Sequence, residues 1–151
     1  MEKVRAFYNI LRKKYPKLPK FEDIDNEFEI KTIDPSLGVK ELRRRVFEKL
    51  DMYDEFLESY IEPEGFSCMV ESRGFSEKDM QVLFELYRKL TVLMKEALKL
   101  TLDSNEKKEI DYICKVYTEW LKMKPNLVKM VDCAIKGWFT DFEEVQQGYF
   151  G

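Results

Sequence analysis

The chain contains no histidine, and that absence removes several chemistries at once. Without imidazole there is no Ser-His-Asp triad, and no Glu-x-x-His element of the kind that holds di-iron centres in helical bundles. Cysteine is scarce as well: Cys68, Cys114 and Cys133 are an odd number, widely spaced, with no C-x-x-C. That spacing argues against a disulfide framework or a zinc site and for reduced thiols in a cytoplasmic protein. There is no glycine-rich phosphate loop, no G-x-S-x-G and no dinucleotide fingerprint. No apolar run approaches the roughly 20 residues of a membrane-spanning helix, so no membrane association is expected. Charges from Glu2 onward do not suit a secretory leader. An overall basic excess is missing too. Lys+Arg 26 against Asp+Glu 29 leaves a net charge of −3, which is not the footprint of a dedicated nucleic-acid binder.

What is present is helical periodicity. The 151 residues are 44% hydrophobic and 36% charged, which suits one globular domain over residues 1–151. Apolar residues recur at spacings of three and four nearly throughout, so the expected fold is an all-α bundle of five or six helices. The first helix is predicted over Glu2 to Lys14, with Val4, Phe7, Tyr8 and Leu11 on one face; "YPKLP" ends it. Residues 15–33 are the least regular, and "FEIKTI" (28–33) alternates as an extended segment would.

Asp34 and Pro35 suit the start of a second helix that ends before Pro63, with Leu42, Val46, Leu50 and Leu57 on its apolar face. Ser76 and Asp79 form a capping box that opens a third helix. Its apolar residues, from Met80 through Leu83, Leu90 and Ala97 to Leu100, sweep an arc of about 200°. An arc that wide belongs to a central helix or to a subunit interface. A fourth helix follows, capped by Asp103 or Ser104, and Pro125 is placed at the start of a fifth carrying Leu127, Val128, Val131, Ala134 and Ile135 inward. Thr140 and Glu143 suggest a last short helix to Gly148.

The charged clusters are the next candidate sites. Glu48, Asp51, Glu55 and Glu58 share an arc of about 80° on the second helix, but its centre lies roughly 155° from the apolar centre. Carboxylates pointing away from the core have no low-dielectric pocket in which to hold a metal. Arg44 beside Glu48, and Glu41 beside Arg45, are expected as surface pairs. Arg43, Arg44 and Arg45 fan over about 200° and cannot make one patch. The denser basic run is Arg12, Lys13, Lys14, Lys17 and Lys20, and it is followed directly by Glu22, Asp23, Asp25, Glu27 and Glu29. "DIDNEFEIKTID" (23–34) imitates an EF-hand loop, but Phe28 stands where glycine must make the turn. Glu106, Glu109 and Asp111 are the only second carboxylate set for a magnesium-dependent nucleotide hydrolase, and they match its paired acidic motifs poorly. No catalytic residue, metal ligand or cofactor is assigned.

Two stretches are unusually apolar for their position. The 62–75 connection carries Phe66 and Met69, and is read as a loop folded over the core or as a binding surface. The C-terminal stretch carries Trp138, Phe139, Phe142, Tyr149 and Phe150, which argues that it docks on its own domain or on another chain. The expected function is therefore a non-catalytic interaction or assembly module, self-associating as a homodimer or bound to another protein. Phe66, Met69, Trp138 and Phe139 are its candidate interface. A nucleic-acid accessory role for the 12–20 run is the less favoured alternative, and a small nucleotide hydrolase ranks below that.

Overall fold

The computed structural model describes residues 2–139 of the chain. The short helix expected from Thr140, and the aromatics Phe142, Tyr149 and Phe150, lie outside the described residues. Within them there are six α-helices and no strand: α1 (Glu2–Lys14), α2 (Phe21–Phe28), α3 (Val39–Glu58), α4 (Gly65–Ser72), α5 (Glu77–Leu102) and α6 (Glu106–Gly137). The all-α expectation holds. Their contacts sort into two units, one of the residues up to Asp51 with Val92–Leu121, the other of Met52–Thr91 with the residues from Lys122. The helices α3, α5 and α6 each contribute residues to both.

In the first unit α1 lies on α2, with the Tyr8 and Phe21 rings 5.8 Å apart and the Tyr8 hydroxyl donating to the Pro19 carbonyl at 2.6 Å. The region expected to be irregular or extended, 15–33, is instead mostly helical. Phe21, Ile24 and Phe28 are spaced to share one helix face, and all three are buried. Glu22 and Asp23 in the first turn complement the helix dipole. Glu29 then ends α2 in the left-handed conformation, φ 53°, and Ile30–Thr32 form a 3-10 turn where the alternation of "FEIKTI" suggested extension. Phe28 packs on Trp120 of α6 at 5.7 Å between ring centroids, and the indole donates to Glu27 at 2.8 Å.

Asp34 does cap, but it caps a 3-10 turn, Pro35–Leu37, accepting from the Ser36 amide at 3.0 Å; Gly38 separates that turn from α3. Leu42, Val46, Leu50 and Leu57 are fully buried along α3, as the periodicity requires.

Helix α5 opens with the capping box as read: the Asp79 amide donates to Ser76 Oγ at 3.0 Å and the Ser76 amide donates to Asp79 at 2.9 Å. Its burial is narrower than its composition. Only Leu83, Leu86, Leu90, Leu93 and Ala97 are buried, a stripe of about 80°, while Phe84, Val92 and Leu98 are exposed. A helix enclosed on all sides would not leave those three in water.

The fourth and fifth expected helices are one. Pro125 sits inside α6 without ending it. The carbonyl that loses its amide partner is that of Leu121, an exposed residue, so water can satisfy it, while buried Met123, Leu127 and Met130 carry the stripe through. Val128 and Ile135, expected inward, are exposed because they lie to the side of that stripe. The N-terminal cap of α6 is Asn105, whose side chain accepts from the Lys108 amide at 2.9 Å, rather than Asp103 or Ser104.

Candidate interaction surface

The second unit brings the two apolar stretches together. The connection 62–75, read as a loop, contains the two-turn helix α4, which starts at Gly65 without a side-chain cap. It seats against the end of α6 by backbone contact. A Cβ on Gly137 would stand 2.5 Å from the Val70 carbonyl oxygen and 2.7 Å from Glu71 Cα. A Cβ on Gly74 would fall on the Cys133 carbonyl oxygen. No real Cβ tolerates such distances, so glycine at both positions is what permits this approach.

Glu71 is the polar hinge of the surface. One carboxylate oxygen accepts from the Tyr60 hydroxyl at 2.7 Å and the other from the Trp138 indole at 2.8 Å. Burial, reinforced by that bond to Glu71, pushes the Tyr60 hydroxyl pKa up, so the phenol stays protonated and donating. Tyr60 in turn closes a row of aromatic contacts, to Phe75 at 4.8 Å and to Phe56 at 5.2 Å. Of the four candidate interface residues, Phe66 and Met69 are half-buried on α4. Trp138 is 39% exposed with its indole held by Glu71, and Phe139 is 85% exposed. The contact of α4 with the end of α6 could not be read from the sequence; Gly74 and Gly137 were its only local signal.

The other charged clusters are occupied differently. In the basic run, Lys14 pairs with Glu106 at 2.7 Å, Lys17 pairs with Asp111, and Arg12 donates to the Leu18 carbonyl at 3.1 Å. The same pairs take up two of the three carboxylates weighed for metal binding. The third, Glu109, is fully buried between Arg43 at 2.6 Å and the Ser104 hydroxyl at 2.7 Å. On α3 the surface pairs are Arg44 with Glu41 at 3.3 Å and Arg45 with Glu48 at 2.8 Å, so the expected partners are exchanged. Glu55 and Glu58 line a shallow cleft with Ser59, Glu62, Glu64 and Cys68. Among the described residues, no three acidic or thiol side chains converge as a metal site would need.

Two of the thiols are poorly placed as nucleophiles. Burial raises the pKa of Cys114, and burial with the neighbouring Asp79 carboxylate raises that of Cys133, so both favour the thiol over the reactive thiolate. No helix is long and apolar enough to cross a membrane among the described residues. Comparison with protein families, with curated proteins and with solved structures finds no match for this chain.

Proposed function

We propose that the chain is a non-catalytic helical interaction module that binds a second copy of itself through α4 and the end of α6. The observation that carries this reading is Phe139, 85% exposed beside an indole that Glu71 holds at the edge of α4. A large apolar side chain left in water next to a pinned aromatic and a methionine-bearing helix has the composition of an interface core. Pre-ordering Trp138 also lowers the entropy cost of docking. Phe66 and Met69 supply the adaptable part of the contact, Trp138 and Phe139 the anchors.

Three free thiols, two of them favouring the protonated form, suit a reducing, cytoplasmic setting. The nucleic-acid alternative has less support, because Lys14 and Lys17 already face carboxylates of α6. Sedimentation velocity over a wide dilution series tests the reading. A dimer that dissociates on dilution is the expected result, since association makes the folded assembly concentration-dependent. A monomer mass at every concentration would refute self-association.

A further inference from the structure

The helix α4 is held differently from the longer helices of its unit. Across residues 62–75 only Val70 and Gly74 are buried, and every other position is half-buried or exposed. In the same unit α5 buries Leu83, Leu86 and Leu90, and α6 buries Leu127, Met130 and Ala134. The close contact of α4 with α6 is made by backbone: Gly137 lies against the Val70 carbonyl and Glu71 Cα, and Gly74 against the Cys133 carbonyl. Contact of this kind hides little apolar surface, and hydrophobic stabilisation scales with that surface. Lifting α4 would expose chiefly Val70 and peptide groups that water can solvate.

Both ends of the segment suit such a movement. Gly65 begins α4 at φ 80°, nothing lies within 4 Å of where its Cβ would stand, and the helix has no side-chain cap there. A glycine in open space turns without steric cost. At the other end the Ser76–Asp79 box closes the first turn of α5 by itself, so α5 does not need α4 in order to start. Phe75, packed on Tyr60 at 4.8 Å, is the fixed root beside that box. The main restraint is Glu71. Its carboxylate ties α4 to Tyr60 and to Trp138 through bonds of 2.7 and 2.8 Å. Hydrogen bonds to a carboxylate are the strong ones, and here two converge on one side chain.

We propose that α4 is a flap, hinged at Gly65 and latched by Glu71, that opens away from the end of α6 while α5 and the rest of α6 stay folded. Opening bares Val70 and the α6 backbone at Cys133 and Gly137, and releases the Trp138 indole from Glu71. The flap thus decides which surface this end of α6 presents. The inference does not rest on self-association.

Native-state hydrogen exchange of the full chain, followed by NMR through a series of low urea concentrations, tests it. Amides of residues 69–74 are expected to exchange about a hundredfold faster than those of Leu90 and Met130, after correction for intrinsic rates. Their exchange should barely respond to urea, because the urea slope follows the surface exposed and a flap exposes little. Leu90 and Met130 should show the steep slope of global unfolding. Glu71→Gln keeps the side chain's size but turns an amide NH2 toward one of the two donors, and should speed exchange at 69–74 roughly tenfold. A common rate and a common slope for 69–74, Leu90 and Met130 would overturn the flap, whatever the variant does. A separate flap whose exchange Glu71→Gln leaves unchanged would overturn the latch. Protection at 69–74 that grows with protein concentration would report a dimer closed over α4, so the dimer and the flap fail separately.

Discussion

Arg43 and Glu109 form an ion pair removed from water: Nε lies 2.6 Å from Oε2, with side-chain exposures of 13% and 1%. The other carboxylate oxygen accepts from the Ser104 hydroxyl, so the charge is paired and hydrogen-bonded on both sides. Taking away one member leaves a bare buried charge, which typically costs about 3–5 kcal/mol. Arg43→Leu is therefore expected to lose about that much stability in urea titrations, and Arg43→Leu with Glu109→Leu to recover most of it. A double variant no more stable than the single would contradict the pairing.

Gly137 gives a test whose sign is diagnostic. At an open helical site, Gly→Ala gains about 1 kcal/mol from propensity. Here the added methyl meets Val70 and Glu71 backbone, and overpacking typically costs about 1–3 kcal/mol. Gly137→Ala should lower the melting temperature, and so should Gly74→Ala, whose methyl would strike the Cys133 carbonyl. A stabilised Gly137→Ala would mean that α4 does not seat on α6.

The capping box sets a pH dependence. Hydrogen bonding from the Ser76 amide holds the Asp79 pKa below its ordinary value of 3.8. A carboxylate depressed in the folded state stabilises fully above its unfolded pKa, and that contribution is lost as pH falls through the lower, folded value. Asp79→Asn should thus be less stable than wild type at neutral pH, with the gap closing below about pH 4. A gap that stayed constant down to pH 2 would show that the charge plays no part.

Burial separates two further substitutions. Leu90 is fully buried in the α5 stripe, and Leu90→Ala should cost about 2–5 kcal/mol. Replacing Asp51 and Glu55 with Asn and Gln should change stability by under about 0.5 kcal/mol, because Glu55 is exposed and Asp51 only half-buried. Denaturant midpoints of both variants settle the assignment of faces.

Some of this was legible in the sequence, and the reasons differ by element. The ends of α1 and the start of α5 could be read because proline and a capping box act locally. The helix α2 was hidden because Lys20 at its N-cap offers no side-chain cap and its eight residues give too little periodicity. Pro125 misled because its cost is local, whereas the burial of Met123, Leu127 and Met130 that overrides it is tertiary. The apolar content of α5 overstated its burial, since Phe84, Val92 and Leu98 belong to the exposed face. Phe66, Met69, Trp138 and Phe139 could be picked out by composition. Their meeting through Glu71 could not, because Glu71 and Trp138 are far apart in sequence.

The most direct measurement is the mass by light scattering of a full chain in which Met69 and Phe139 are both replaced by glutamate, beside wild type at the same concentration. Two carboxylates placed in the contact would have to be desolvated on association, at a cost of several kcal/mol each. The expected result is a wild-type mass of two chains and a variant mass of one, with melting temperatures close together because neither residue is fully buried. Equal masses for the two proteins, whether one chain or two, would contradict an interface at α4 and the end of α6.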